Sequence, residues 1–327
     1  MLRQVLFALS IVFAAMSPWP AVGAEPVHLR IGLVKFGAAA WEIDTMRSHG
    51  LDRAAGIVVD PVDLANPAAG EVALQAGGVD AILTDWLWVS RQRLAGRRIT
   101  FVPHSAALGE ILVPRDSTIR SLADLKGKRL GVAGGPLDKS WLLLRAFSRR
   151  QMGGDIANRA TIVFAAPPLL SQELASLRVD AILTYWPFAA RLAVHGFRSL
   201  ATMDEVIKGL GFTRTVPMLG YAVPDTWIAR HPGGLEKFLG AIREADSILW
   251  RSDSEWERLR PLTAAEDDAT LVALRQRFRA GIRDGWDAAE QADASRLFAL
   301  MAETGGADLT GGAHDIAAGT FWSGACR

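Results

Sequence analysis

The sequence predicts an α/β protein, and three observations support this fold class. Strand-like apolar segments alternate with helix-like segments along most of the chain, a pattern typical of parallel sheets with helical crossovers. The segment 79–86 recurs, with one change, as residues 179–186. The 327 residues, 50% of them hydrophobic, suffice for a large buried core and for two domains of ordinary size.

The first part of the chain predicts one βαβαβαβ lobe. Helical segments at about 41–55, 70–76 and 86–94 separate its strands, which are 28–34, 57–64, 79–84 and 99–102. Pro61 lies inside the second strand and indicates an edge strand or a bulge, because proline cannot donate a hydrogen bond to a sheet ladder.

A second lobe is predicted to begin after residues 109–114. It contains a helix at 140–151 and further strands at 130–132, 161–164 and 179–184. Beyond about Val223 the pattern is mostly helical. The second lobe therefore resembles the first in its alternation of strands and helices.

The repeat is the most informative feature. Its shared pattern is Val-Asp-Ala-Ile-Leu-Thr-x-Trp, an arginine follows each copy at the same distance (Arg91 and Arg191), and a short helical stretch precedes each. A spacing of 100 residues is too long for a solenoid unit of about 20 to 50 residues, so we interpret it as two similar lobes. Any buried strand can be rich in Ala, Ile and Leu, but that does not explain the matching Asp, Thr and Trp.

The end of each repeat is a candidate ligand contact. In open α/β sheets, ligands bind beyond the carboxyl ends of the strands, which is where 84–86 and 184–186 lie. If the lobes face each other, both corners line one cleft with hydroxyl groups and apolar walls, as in small-molecule pockets. For each tryptophan, packing of its own helix onto the sheet is an equally good interpretation.

Residues 1–24 are predicted to be a secretory signal peptide. Arg3 precedes an apolar run at 5–15, and the segment ends in small residues at 21–24. The run is shorter than the roughly 20 residues that a membrane-spanning helix needs, which disfavours a membrane anchor. We expect cleavage after Ala24.

Composition and missing motifs exclude several function classes. Without Arg3, the chain keeps 35 basic residues, one fewer than its total of 36, against 35 acidic residues, so nothing suggests a nucleic-acid partner. The lone Cys326 excludes a disulfide framework and a CxxC motif. The six histidines form no HExxH motif, and neither a phosphate-binding GxxxxGK[ST] loop nor a GxSxG elbow is present. We therefore predict no metal site, no cofactor and no catalytic residue.

Four segments of the chain resemble a known protein family. The segments that carry the resemblance are the Val-Asp-Ala corner at 79–81, the run 119–132, the glycine turn 134–136 and the stretch 224–241. They resemble periplasmic substrate-binding proteins of ABC importers, of the nitrate, sulfonate and taurine type (SsuA/THI5-like), which also includes binders of thiamine precursors. The resemblance covers most of the chain after residue 24.

The resemblance implies a two-lobed, type II periplasmic-binding-protein fold with a hinge and a central ligand cleft. Lobe 1 would comprise residues 25–107 completed by 218–327, and lobe 2 residues 108–217. The two crossovers would lie near 104–113 and 213–221. Closure about such a hinge traps the ligand, and a cognate permease recognises the closed form.

Two kinds of ligand remain open at this stage. The turn 134–140 resembles the family's loop that points backbone N–H groups into the cleft, and a helix N-terminus after glycines favours an anionic group such as sulfonate. Asp138 and Asp85 would repel an anion unless they cap helices or pair with a base, and an N-cap is a frequent role for aspartate. Aromatic walls and acids suit instead a flat nitrogenous ring, such as a pyrimidine or another amine.

The candidate ligand-binding residues come from both predicted lobes. Asn66 is included as a neutral polar candidate, although a turn residue before Pro67 is at least as good an interpretation. The full set is Trp41, Asn66, Thr84, Asp85, Trp86, Gly135, Asp138, Ser140, Trp141, Thr184, Tyr185 and Trp186.

The function implied by the resemblance is capture of a small molecule and its delivery to a membrane permease and its ATPase. The protein would be a monomer and not an enzyme, free in the periplasm because no cysteine follows the signal to carry a lipid. A binding module for a sensor or a periplasmic oxidoreductase is the alternative. Some relatives are pyrimidine-forming enzymes with a cysteine-rich iron motif, which a chain whose single cysteine is Cys326 lacks.

Overall fold

The computed structural model describes residues 25–35, 37–214, 216–282 and 286–324. The predicted signal peptide and Cys326 lie outside these residues. The strands are β1 (Val27–Val34), β2 (Ile57–Leu64), β3 (Ala81–Asp85), β4 (Ile99–Ser105), β5 (Glu110–Val113), β6 (Arg129–Ala133), β7 (Thr161–Ala165), β8 (Ala181–Thr184), β9 (Arg198–Thr202) and β10 (Leu219–Pro224).

Thirteen α-helices alternate with these strands or follow them in the described part of the chain. They are α1 (Ala39–Ser48), α2 (Leu51–Ala54), α3 (Pro67–Gln75), α4 (Trp86–Leu94), α5 (Lys139–Gln151), α6 (Pro167–Ala175), α7 (Trp186–Val194), α8 (Met203–Gly209), α9 (Asp225–Arg230), α10 (Gly234–Arg251), α11 (Asp253–Thr263), α12 (Asp268–Gly281) and α13 (Ala288–Thr310).

The strands form two five-stranded sheets with the same plan, which confirms the predicted α/β class. The first sheet has the order β2-β1-β3-β10-β4 and the second the order β7-β6-β8-β5-β9. In each sheet the fourth strand, β10 or β5, runs antiparallel to its neighbours. It is the strand that the chain forms directly after it crosses over from the other sheet. The sequence pattern did not predict β5, β9 or β10 as strands.

Pro61 lies on an edge strand, as one of the two predicted alternatives requires. β2 is the outermost strand of the first sheet and pairs only with β1 there, in parallel register with Val27 opposite Ile57. The missing amide hydrogen of Pro61 can therefore face away from the ladder without breaking the sheet.

The repeated aspartate has a structural role in both sheets. A carboxylate oxygen of Asp80 accepts a hydrogen bond from the backbone N–H of Arg30 at 3.0 Å, and one of Asp180 accepts from that of Arg129 at 2.7 Å. In return, each aspartate N–H donates to the carbonyl of the same arginine. The aspartate thus extends the ladder between β1 and β3 in the first sheet and between β6 and β8 in the second.

A leucine and the repeated isoleucine explain a pair of glycines in β1 and β6. A Cβ atom at Gly32 would lie 2.6 Å from Cδ1 of Leu64 and 3.1 Å from Cγ2 of Ile82. One at Gly131 would lie 2.7 Å from Cδ2 of Leu170 and 3.1 Å from Cγ2 of Ile182. These distances are tighter than ordinary contacts, so leucine and isoleucine together fill the space that each glycine leaves.

The C-terminal helices pack on elements of both sheets. α10 packs against α1, α12 packs against α7, and α13 packs against both α4 and α5. The repeated arginines help to hold them: Arg91 donates to the carbonyl of Asp308 and Arg191 to that of Thr263, both near helix C-termini, where a cation is favourable. Among the described residues, no helix has both the length and the apolar character that crossing a membrane requires.

Candidate functional site

A cavity of about 870 Å³ lies between the strand ends of the two sheets. The ends of β3 and β4 and the start of α1 contribute to one wall, and the turn after β6 and the start of α7 contribute to the other. The carboxyl ends of strands from both sheets therefore meet at this cavity, which is the usual place for a ligand in α/β folds.

The first repeat brings Asp85 to the cavity as a buried helix cap. A carboxylate oxygen of Asp85 accepts a hydrogen bond from the backbone N–H of Trp88 at 2.8 Å and so caps α4. The other oxygen forms an ion pair with Nζ of Lys139 across the cavity. Burial lowers the pKa of Lys139, but the Asp85 carboxylate raises it more, so the net pKa is raised and the ammonium form is favoured.

The second repeat places Tyr185 beside another buried cap. Asp138 accepts a hydrogen bond from the backbone N–H of Trp141 at 3.2 Å and caps α5, and the Tyr185 hydroxyl donates to Asp138 at 3.5 Å. Burial raises the pKa of Asp138 and that of Tyr185. The carboxyl of Asp138 is thus part of the scaffold of its turn as well as part of the cavity wall.

Glu71 is a cavity carboxyl that sequence reasoning missed. It lies on α3, and the hydroxyl of Thr84 donates to it at 3.4 Å. Burial and then the charge of Asp85 raise its pKa. In the sequence it is an ordinary helical glutamate with no motif around it, so no signal could have singled it out.

A separate cluster on the cavity wall joins Glu42, His104 and Asp246 with the buried Tyr221. Nε2 of His104 lies 3.0 Å from both carboxylate oxygens of Glu42. One side-chain nitrogen or oxygen atom from each of Glu42, His104 and Asp246 lies within 4.8 Å of the other two. The rings of His104 and Tyr221 are 4.8 Å apart. These residues come from α1, β4, α10 and β10, and their wide separation in sequence leaves no spacing pattern to recognise.

The electrostatics of this cluster are unusual because its groups are buried together. Burial lowers the pKa of His104, but the neighbouring Glu42 outweighs it and raises the pKa to about 9. Burial and the charge of Glu42 raise the pKa of Asp246 to about 8. At neutral pH the imidazole of His104 and the carboxyl group of Asp246 are therefore both mostly protonated.

Eight of the twelve predicted site residues lie on the cavity wall. Asn66 is among them, and it also caps α3 by accepting a hydrogen bond from the backbone N–H of Ala69 at 2.9 Å. Contact between these residues and a ligand stays a prediction. The eight are Asn66, Thr84, Asp85, Gly135, Asp138, Ser140, Tyr185 and Trp186.

The remaining four predicted residues do not line the cavity. Trp86 has 0% exposure, and its indole N–H donates to the carbonyl of Pro217 at 3.1 Å. Trp41 lies edge-on to Trp186 at 5.8 Å between ring centres, Trp141 packs against Phe164, and Thr184 is buried at the end of β8. All four side chains are buried in the core.

The sequence matches a known family across much of its length. Residues 47–250 match the model of the family described as NMT1/THI5 like. The chain belongs to the NMT1/THI5-like family. The resemblance noted from the sequence motifs is therefore confirmed.

Solved structures with the same fold include sulfonate-binding proteins. The alkanesulfonate-binding protein SsuA from Xanthomonas axonopodis pv. citri, bound to MOPS, aligns with a TM-score of 0.70 and 22% identity over 91% of this chain and 99% of its own. The periplasmic aliphatic sulphonate binding protein SsuA from Escherichia coli aligns with a TM-score of 0.72 and 20% identity over 92% and 93%. The two-lobed substrate-binding-protein fold is thereby confirmed.

A curated relative and an enzyme complete the comparison. A Brucella abortus protein, provisionally named a binding protein, is 23% identical over 258 residues, which are 76% of this chain and 74% of its own length. The desulfurization enzyme DszB aligns with a TM-score of 0.58 and 16% identity over 85% of this chain and 92% of its own. The same fold thus occurs in substrate-binding proteins and in an enzyme.

Proposed function

We propose that this chain is the periplasmic solute-binding component of an ABC importer, which captures a small molecule in the cavity and delivers it to a membrane permease and its ATPase. The cavity carries this proposal, because strand ends of both sheets line it and it is large enough for a metabolite-sized ligand. The sulfonate-binding SsuA proteins, which share the fold, support it.

The two lobes of this proposal are residues 25–107 with 218–327, and residues 108–217. In the described part of the chain, the path crosses from one sheet to the other between β4 and β5 and returns between α8 and β10, so a hinge would bend at these two crossings. Gly109, in the first connection, passes so close to the backbone of Thr184 that an added Cβ atom would overlap it. A hinge at this point would couple directly to the second repeat corner.

An enzymatic function has less support. The pyrimidine-forming relatives named above use a cysteine-rich iron motif, and this chain has one cysteine in total. Service to a sensor or to a periplasmic oxidoreductase requires the same binding cavity. Genes for a permease and an ATPase beside this one would favour import over that alternative.

A thermal-shift screen of the chain beginning at Glu25 tests the proposed function. The compounds are sulfonates, nitrate, pyrimidines, amines and carboxylates. A ligand present at 100 times its dissociation constant stabilises the fold by about 2.7 kcal/mol, which such a screen detects. If no compound of the panel shifts the melting temperature, the proposal of small-molecule capture fails for these classes.

A matched pair of variants shows whether a hit occupies this cavity. Gly135 lies on the wall, and a Cβ atom there would meet no other atom within 4 Å, so Gly135→Leu adds bulk without a clash. Gly240 on α10 has similar free space, with its nearest atom at 3.9 Å, and lies away from the cavity. We expect Gly135→Leu to abolish the ligand shift and Gly240→Leu to keep it; equal shifts in both would place the ligand elsewhere.

A further inference from the structure

The cluster of Glu42, His104, Asp246 and Tyr221 has more hydrogen-bonding capacity than its own members use. Oδ1 of Asp246 is buried and has no hydrogen-bond partner within 3.5 Å among the described residues, and the same holds for the hydroxyl of Tyr221, whose side chain has 0% exposure. Glu42 interacts with both side chains, but only weakly. Buried polar atoms nearly always have a partner, so two orphaned oxygens beside a cavity indicate a missing one.

The hydroxyl of Tyr221 faces the same small space as the acids. Burial, followed by the charges of Glu42 and Asp246, raises its pKa, and its ring lies 4.8 Å from that of His104. The hydroxyl and Asp246 therefore converge from β10 and α10 on the group formed by Glu42 and His104.

The charges on the cavity wall also favour a ligand that brings a positive group. Five carboxyl groups line the wall: Glu42, Glu71, Asp85, Asp138 and Asp246. The cationic side chains that line it within the described residues already have partners: Lys139 pairs with Asp85, His104 with Glu42, and Arg91 donates to the carbonyl of Asp308. An anionic ligand would have to break one of these pairs, whereas a cationic ligand needs only Asp246.

We propose that Glu42, His104, Asp246 and Tyr221 form a subsite for a protonated amine group of the ligand. The ammonium would donate hydrogen bonds to the orphaned oxygen of Asp246 and to the Tyr221 hydroxyl, while Glu42 stays paired with His104. This subsite rests on the proposed function, and it assigns the ligand to the amine-bearing class. It also moves the acidic recognition from Asp85 and Asp138, which are occupied by Lys139 and by helix capping, to the part of the cavity wall formed by Glu42, His104 and Asp246.

Two small ions of similar size and opposite charge test the subsite without knowledge of the whole ligand. Methylammonium chloride and sodium methanesulfonate are compared at equal ionic strength by thermal shift. We expect methylammonium alone to raise the melting temperature. Stabilisation by methanesulfonate alone, or by neither ion, overturns the amine subsite. The thermal-shift screen with the larger set of compounds tests the proposed function independently of this result.

Variants locate the amine. Asp246→Asn and Tyr221→Phe remove one contact each, and we expect the first to abolish the methylammonium shift and the second to weaken binding about tenfold. Glu71→Gln, at a carboxyl group of the cavity wall outside this cluster, is the matched control and should keep the shift. If Asp246→Asn does not fold, the Tyr221→Phe result decides, and unchanged binding there overturns the proposal.

The pH dependence gives an independent readout. The groups that face Asp246 are Glu42, His104 and Tyr221. Because an ammonium replaces the proton of Asp246, affinity for methylammonium should rise nearly tenfold per unit between about pH 6 and pH 8 and then level off. A flat profile contradicts the proposal.

A thermal-shift measurement with zinc chloride alone tests whether the cluster binds a metal ion. A rise in melting temperature that a chelator reverses and that Asp246→Asn removes would show a metal site in place of the amine site, and would overturn the proposal.

Discussion

The two copies of the repeat, 79–86 and 179–186, each lead into a helix and build the same strand-to-helix corner in two sheets. They present different groups to the cavity. The first corner ends in Asp85, which caps α4 and pairs with Lys139, and the following Trp86 is fully buried. The second ends in Tyr185, whose side chain caps no helix, and the following Trp186 lies on the cavity wall.

The aspartate and the arginine that the copies share serve the architecture. The aspartate of each copy extends the ladder to the neighbouring strand, and the arginine of each copy holds the end of a C-terminal helix. Where the copies differ, at 85 and 185, the side chains face the cavity. The shared threonine and tryptophan line the cavity in one copy each, through Thr84 and Trp186, so the same residue type takes different roles in the two copies.

The largest expected effect separates the two tryptophans. Trp86→Ala should lower the free energy of unfolding by about 3–5 kcal/mol, because it empties a fully buried site packed against Phe298 and Phe321. Trp186→Ala should cost about 1–2 kcal/mol and should instead weaken ligand binding, since this ring lies on the wall. Urea unfolding measures the first quantity and titration with a panel hit the second. Equal stability losses would break the contrast between the copies.

A smaller effect is expected at the residues that differ. Asp85→Ala removes a helix cap and leaves the ammonium of Lys139 without its partner, so it should cost on the order of 3 kcal/mol. Tyr185→Phe removes only a 3.5 Å hydrogen bond to Asp138 and should cost less than about 1 kcal/mol.

The double variant Asp85→Ala with Lys139→Met is the control for this pair. It removes the unpaired charge, so it should be more stable than Asp85→Ala alone in urea unfolding. If the double variant is as unstable as the single one, the loss comes from the cap and not from the buried ion pair.

The sequence was sufficient for the fold class because periodicity and the repeat are local signals. Strands such as 57–64, where Pro61 indicates an edge, and the corner at 84–86 follow from residues close in sequence. Strands β5, β9 and β10 did not, because their pairing partners are distant in sequence: β5 pairs with β8 and β9, and β10 pairs with β3 and β4.

The site was only partly predictable for the same reason. The strand-end rule and the family resemblance together selected eight residues that line the cavity. Neither could tell the buried Trp86 from the cavity-lining Trp186, which occupy the same position in the repeat. The cluster of Glu42, His104 and Asp246 depends on α10 returning to the first sheet. Long-range packing of this kind has no signature in spacing or composition.

The smallest predicted effect concerns a backbone position just before each strand of the repeat. Both Gly77 and Leu177 have positive φ, +72° and +57°, but only glycine adopts this conformation without cost. Leu177 is 74% exposed, so packing does not compensate. The left-handed conformation costs a leucine about 1–2 kcal/mol, and the greater freedom of glycine in the unfolded chain offsets part of that.

Exchanging the two residues isolates this backbone term. A Cβ atom at Gly77 would meet nothing within 4 Å, so Gly77→Leu should cost about 1 kcal/mol through the backbone alone. Leu177→Gly should gain about 0.5 kcal/mol once the entropy of glycine is counted. Urea unfolding of both variants checks the signs. A loss of stability in Leu177→Gly would mean that the exposed leucine makes stabilising contacts that its copy does not need, and the two turns would then differ in packing as well as in sequence.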